Sequence, residues 1–330
     1  MDDWKRANTD WFRDARWGVM THYLAGQPSA RAGVDLTPEQ WNAQVNAFDV
    51  PAFVDVLKEI RAGYLLFTLG QNSGFFCSPN ATYDGIVGVH PSRLSTRALL
   101  GEIAQALADA GIRTMAYLPS HAPAHHRTAA ERLGFTPTWD ARAWGLTPGS
   151  YVREGLVDER LTDAQRNWEA VIREWSERWG GAVSGWWIDG CYHADRMYRH
   201  DDPPNFRSFA EAMKAGNPDS IVAFNPGVKN RVISHTPYED YTAGEFNVMP
   251  TAHRHHKLER FVDDAQLHIL SFLGEYWRAG EPRYADDLAI AYTKYINSFG
   301  GVVTWDVPIT AEGEIPEAFV KQLGAIGNGV

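Results

Sequence analysis

Two kinds of apolar patterning alternate along the chain. Short runs at 16–24 (RWGVMTHYL), 63–70 (GYLLFTLG), 112–119 (IRTMAYLP), 183–189 (VSGWWID) and 220–227 (SIVAFNPG) are rich in β-branched and aromatic residues at consecutive positions. A weaker run lies at 239–246 (EDYTAGEF), and two more at 267–275 (LHILSFLGE) and 300–308 (GGVVTWDVP). Between them the spacing is mostly helical, as with Phe53, Val56, Leu57 and Ile60 in 50–62. Further helices are predicted over STRALLGEIAQALADAG, about 163–179, NFRSFAEAMKAGN and DDLAIAYTKYINSF, with a closing helix over IPEAFVKQLGAIG.

Strands that are apolar without alternating are buried on both faces, as in a parallel sheet covered by helices. Eight such runs separated mainly by helices predict an α/β fold of the (β/α)₈ TIM-barrel type. A doubly wound sheet would carry a glycine-rich phosphate loop after its first strand, and THYLAGQPS is not one. No repeat, low-complexity stretch or linker divides the chain, so a single barrel domain over residues 1–330 is expected.

A barrel enzyme places its chemistry at the C-terminal ends of the strands. The polar residues at those ends are His22 and Tyr23, then Gln71, Asn72 and Ser73, His121, Asp189, Asn225, Glu245, Glu275 and Asp306. The segment SGWWIDGCYHAD stands out, because two tryptophans and an isoleucine run straight into Asp189 and Gly190. Asp-Gly is a common loop opener, so a turn aspartate is the structural alternative to a catalytic one. Strand alternation puts Trp187 on the side of Asp189 and turns Trp186 toward the helices.

Composition adds a ligand class. The 330 residues are 44% hydrophobic and 22% charged, enough for a large core. The formal net charge of −10 argues against a polyanion, so no nucleic-acid partner is expected. Cys77 and Cys191 imply no disulfide framework. Thirteen tryptophans, thirteen tyrosines and fifteen phenylalanines raise carbohydrate as a ligand, because tryptophan offers a large, poorly hydrated face to sugar C–H groups. The N-terminal MDDWKRANTDWFRDARWG has no secretory apolar core, and no run approaches the roughly 18 apolar residues of a membrane span. A cytoplasmic protein with no membrane partner is the expectation, a trimmed secreted form being the alternative.

WFRDARWGVMTHY resembles the opening of the α-L-fucosidase family of retaining glycoside hydrolases, where Trp-Phe-x-x-Ala-(Lys/Arg)-(Phe/Trp)-Gly leads into strand one and ends in His-Trp. GWWIDG is similar to the family's Trp-Phe-Asp-Gly, whose aspartate is the nucleophile. EDYTAGEF resembles Asp-Tyr-x-Thr-Pro-Glu at Asp240, Tyr241 and Glu245 but not at the Thr-Pro, and the C-terminal stretch matches at Gly313 and Ile315-Pro316. The likeness runs from Trp11 to Gly327. It implies a retaining exo-glycosidase with Asp189 as nucleophile and Glu245 as acid/base, acting on a terminal α-L-fucoside or related sugar without a cofactor. Glu275, covered by Tyr276 and Trp277, is the rival acid/base.

The departures bear on the sugar. Where the family carries His-His-Asp-Gly-Phe after strand two, this chain has Gln71-Asn72-Ser73 before Gly74 and Phe75. His-Trp is His22-Tyr23, an appended C-terminal β-sandwich of the family's usual kind is not expected, and Asp306 is unassigned. Neutral amides can still bond a hydroxyl, with different reach. His22, Tyr23, Gln71, Asn72, Phe75, His121, Trp187, Glu275, Trp277 and Trp305 are thus the candidate sugar-binding residues. For His22 a core histidine, and for Trp277 and Trp305 core packing, are the alternatives. A glycoside or oligosaccharide is the expected partner. A barrel that binds carbohydrate without hydrolysing it is the alternative function. The histidines of HAPAHH (121–126) and HRHH (253–256) sit at spacings a metal could use, but no zincin pattern accompanies them, and solvated loops with no metal are expected.

Overall fold

The computed structural model describes residues 4–26, 36–120, 123–135, 160–191, 197–252 and 257–330. Nine strands occur among them: β1 (Trp17–Thr21), β2 (Tyr64–Thr68), β3 (Arg113–Pro119), β4 (Val183–Asp189), β5 (Ile221–Phe224), β6 (Phe261–Val262), β7 (Ala265–Gln266), β8 (His268–Phe272) and β9 (Val302–Val307). Seven form one all-parallel sheet in the order β5-β4-β3-β2-β1-β9-β8. The first strand lies between β2 and the last, β9, so the sheet curls as helices follow its strands. The HRHH segment and His121 fall outside the described residues.

Local chemistry fixes the helix starts. Thr37 and Gln40 form a reciprocal capping box at the helix Pro38–Ala47, as Asn205 and Ser208 do at Phe206–Met213. Asp49 caps Val50–Glu59, with Pro51 in its first turn. No described helix is long and apolar enough to cross a membrane.

Burial divides into two separate clusters. Between sheet and helices lies the larger, with Trp168, Trp175 and Trp186 among its residues. Inside the curl lies a smaller one, built from Met20, Tyr64, Leu66, Met115, Tyr117, Trp187, Ile221, Ala223, Tyr241 and Leu270. Both faces of the seven-stranded sheet are therefore covered, which is why its apolar runs do not alternate. Phe12, on the first helix Asp10–Ala15, joins the inner cluster and packs on Tyr64, Tyr241 and His268.

The sixth run departs from expectation. Residues 239–246 form no regular strand, yet they bridge the edges of the sheet. The Asp240 N–H donates to the Val222 carbonyl (2.7 Å), on β5. Toward β8, Leu270 N–H donates to the Gly244 carbonyl (2.8 Å) and Phe246 N–H to the Leu270 carbonyl (2.9 Å). Gly244 explains the irregularity. Its φ of +60° lies outside the extended region, and a Cβ there would come within 1.9 Å of the His268 carbonyl oxygen. Gly244→Ala should accordingly cost about 3 kcal/mol or more and lower the melting temperature by several degrees. Gly324→Ala, in open space on the last helix, is the control expected to be neutral or stabilising; equal melting shifts for the two would contradict this account. The β6–β7 hairpin was also not expected: Asp263 and Asp264 both have positive φ, the backbone of a tight hairpin turn, without the usual Asn-Gly.

Candidate active site

The C-terminal ends of the strands surround a cavity of about 880 Å³. Asp189 closes β4 and projects into it, and Gly190, at φ +73°, turns the chain away. Three donors converge on this carboxylate. Gly190 N–H (2.7 Å) and Asn225 Nδ2 (2.9 Å) reach Oδ1, and the Tyr117 hydroxyl (2.6 Å) reaches Oδ2. That is the hydrogen-bond complement of an ionised carboxylate, which can only accept. Gln71 Nε2 donates to the Tyr117 oxygen (2.7 Å), leaving the hydroxyl proton for Asp189. Tyr117 is held in turn by stacking on Trp187 (centroids 5.4 Å, planes 16°), whose indole N–H donates to the Ala243 carbonyl (3.0 Å).

Glu245 stands beside this pair under different conditions. Among the described residues its one side-chain hydrogen bond comes from Asn225 Nδ2 to Oε2 (2.7 Å). Burial, reinforced by the Asp189 charge and opposed by the Asn225 donor, pushes its carboxyl up to about 7. Two neighbouring carboxyls thus have contrasting surroundings, one suited to a charge and the other to a proton.

A second polar unit lines the opposite wall. Buried Asp306, on β9, accepts from His22 Nδ1 (2.6 Å) and from the Arg278 backbone N–H (2.6 Å). The carboxylate fixes the Nδ1 proton of His22 and also ties down the turn at 276–279, whose ends are joined by the Tyr276–Ala279 bridge. Trp277 packs on Phe272 (4.7 Å) and bonds Asn247, while the Arg283 guanidinium lies 3.7 Å from the centre of the Phe272 ring. Among the described residues no group of three or more His, Cys, Asp or Glu side chains could hold a metal.

An endo-fucoidan hydrolase of glycoside hydrolase family 107 superposes with a TM-score of 0.68 at 17% identity, over 97% of this chain and 53% of that one. The α-L-fucosidase AlfC from Lactobacillus casei, in complex with α-L-fucose, gives 0.64 at 15% identity over 97% and 98%. α-L-Fucosidase isoenzyme 1 from Paenibacillus thiaminolyticus gives 0.64 at 17% over 97% and 74%. The fold is that of the α-L-fucosidases, in divergent form. This chain spans about half the length of the endo-fucoidan hydrolase. No family model and no curated protein matches its sequence.

Of the residues singled out from sequence, Asp189, Glu245, His22, Gln71, Trp187, Glu275 and Trp277 border the cavity. Tyr23 and Trp305 do not. Each directly adjoins a member of the His22–Asp306 pair, and strand alternation turns it to the helix side. Tyr23 stacks on Phe67 and donates to the Ala311 carbonyl (3.0 Å), and Trp305 donates to Thr293 (3.1 Å). Phe75 is buried against Trp41 beneath the Arg93 guanidinium, away from the cavity. Asn72 is likewise off its lining, its carbonyl accepting from His125 N–H (2.7 Å) where two loops join. Tyr117, Asn247, Tyr276 and Arg278 border the cavity without having been singled out as binding residues. For Tyr117 a signal existed: it pairs in register with Trp187, so the parity that points one inward points both.

Proposed function

We propose that this chain is a retaining glycosidase of the α-L-fucosidase-like group, acting on a terminal α-L-fucoside or a closely related sugar. The observation that carries the reading is the pair Asp189 and Glu245. Because one amide nitrogen bonds both, the two oxygens it touches lie at most about 5.6 Å apart, which suits the retaining spacing of roughly 5–5.5 Å. Glu275 is the weaker acid/base candidate: it is exposed at the cavity's outer edge and has no described hydrogen bond to the Asp189 cluster. We also read 239–246 as the sixth strand of a closed (β/α)₈ barrel making up a single domain, supported by its bonds to both β5 and β8.

In this mechanism an Asp189 oxygen attacks the anomeric carbon as the bond to the leaving oxygen breaks. The Glu245 proton passes to that oxygen, leaving a glycosyl ester and a glutamate anion. Glu245 then takes a proton from water, whose oxygen displaces Asp189 from the sugar with a second inversion. Tyr117 holds Asp189 in place for attack, and His22, oriented by Asp306, presents its other nitrogen to a sugar hydroxyl. Neighbours with this fold include one bound to α-L-fucose and one bound to 4-nitrophenyl α-L-fucoside, which supports a sugar of this configuration.

The test is hydrolysis of a panel of aryl glycosides, covering α-L-fucose, α-L-galactose, β-L-arabinose and α-D-galactose, followed by proton NMR from the first minutes. The anomer released first should be that of the substrate. Initial release of the opposite anomer would rule out double displacement, and no release from any member would rule out the hydrolase.

A further inference from the structure

The bonding of Asn225 has a consequence for how charge moves during the reaction. Asn225 follows β5, where its backbone N–H donates to the Ile188 carbonyl (2.8 Å), one residue before Asp189. Its side-chain oxygen accepts from Gly227 N–H (2.9 Å), which fixes the amide orientation and turns the NH₂ group toward the carboxyls. That group has two hydrogens, and each is used: one on Asp189 and one on Glu245. Asp189 has two other donors, whereas Glu245 has no other in its described surroundings.

We propose that Asn225 is a positioning residue that fixes the spacing of the two carboxyls and follows the negative charge from one to the other. The inference rests on the hydrolytic roles given above. Before attack the charge is on Asp189 and the proton on Glu245. After attack Asp189 is an ester and Glu245 is the anion. A hydrogen bond to an ionised acceptor is about twice as strong as one to a neutral acceptor. The Asn225–Glu245 bond therefore strengthens as the Asn225–Asp189 bond weakens. A donor bonded to both needs no reorganisation when the charge transfers, which is the condition for electrostatic stabilisation of a transition state.

Other charged and titratable groups face the same space. Tyr117 from β3 bonds Asp189, and His22 beside β1 is engaged with Asp306 of β9. Glu275, Arg278 and Arg283 enter from the stretch after β8. Lys229 and Arg231, in the loop after β5, border a small recess on the far side of Glu245. Asn225 alone among these is hydrogen-bonded to both carboxyls in the structure.

The experiment measures Glu245 directly and then the reaction. Protein carrying ¹³C-labelled glutamate is titrated by NMR, the Glu245 signal being assigned by its loss in Glu245→Gln. In Asn225→Ala, Glu245 loses the donor that favours its anion, so its midpoint should rise by about one pH unit. In Asn225→Asp an added carboxylate should raise it further. The alkaline limb of kcat/KM should move by the same amount, with its plateau about tenfold to a hundredfold lower. Asn225→Gln, which keeps the amide, should return part of the plateau. A Glu245 midpoint unchanged in both Asn225→Ala and Asn225→Asp overturns the proposal, as does a fallen plateau with an unmoved limb. If the midpoint moves but wild-type protein hydrolyses no glycoside, the hydrolytic reading fails while the coupling of the pair stands. Circular dichroism of each variant separates these outcomes from unfolding, and Asn225→Ser supplies a second small replacement should Asn225→Ala not fold.

Discussion

Asp189→Ala is expected to reduce turnover of an activated aryl glycoside by on the order of 10⁴-fold or more, about 5.5 kcal/mol of transition-state stabilisation at 1.36 kcal/mol per decade. The covalent step needs an oxygen at that position, and no other carboxyl is poised to replace it: Glu245 is held as the acid, and Asp306 is buried between His22 and the Arg278 backbone. The fold should survive, because the substitution leaves the Asp189 backbone carbonyl, which accepts from Ser120 N–H (2.8 Å), in place. Tyr117 and Asn225 lose an acceptor, but the cavity lets water take its place. Azide supplies a more specific readout. In Asp189→Ala it can attack the sugar in place of the carboxylate, giving a glycosyl azide of inverted configuration. A folded variant with near wild-type turnover would remove Asp189 from the mechanism. An azide product of retained configuration would assign it the other role.

Glu245→Gln should separate substrates by their leaving groups. A dinitrophenyl glycoside needs little protonation and should retain much of its glycosylation rate, whereas an alkyl or sugar leaving group should lose about 10²–10⁴-fold. Azide should restore the deglycosylation step and give the retained anomer, opposite to the product with Asp189→Ala. The alkaline limb of the pH profile should vanish with the titrating group. Stability should change as well. Glu245 is raised to about 7 in the folded protein against 4.5 when unfolded, so the folded state binds more protons between those values and stability falls as pH rises through that window. Removing the carboxyl should flatten this decline, so Glu245→Gln gains melting temperature over wild type more at pH 8 than at pH 4. The same leaving-group selectivity in Glu275→Ala, and none in Glu245→Gln, would transfer the acid/base role to Glu275.

The two variants also show what sequence could and could not reveal. The seven regular strands of the sheet follow from their patterning, because burial on both faces writes a continuous apolar run. Asp189 is legible for a related reason: a carboxylate that abruptly ends such a run lies where the sheet meets open space. Two of the misplaced candidates follow from one-residue alternation. Tyr23 beside His22, and Trp305 beside Asp306, were paired with neighbours that strand geometry sends to opposite faces. Partners remote in sequence were not legible at all. The Asn225 side chain joins residues 36 and 20 positions away, and the His22–Asp306 bond spans 284. No local pattern records such contacts, since they exist only when the curl brings strand ends together. The irregular sixth segment was the weakest of the eight runs for a physical reason: Gly244 removes the side chain and the extended backbone that make a strand recognisable.

Phe12, seated at the opposite end of the curl from the cavity, bears on the order of assembly. Beyond its neighbour Trp11, its ring partners are residues 64, 241 and 268, and nearby the Ala7 N–H reaches the Asp240 carboxylate across 233 positions. A ribosome releases this segment before most of its binding site exists. It must therefore wait, exposed and apolar, until the later strands have paired. Contacts that close such long loops slow folding. The docking of Phe12 is therefore a natural final step of folding, completing the inner core only after the strands around it have formed.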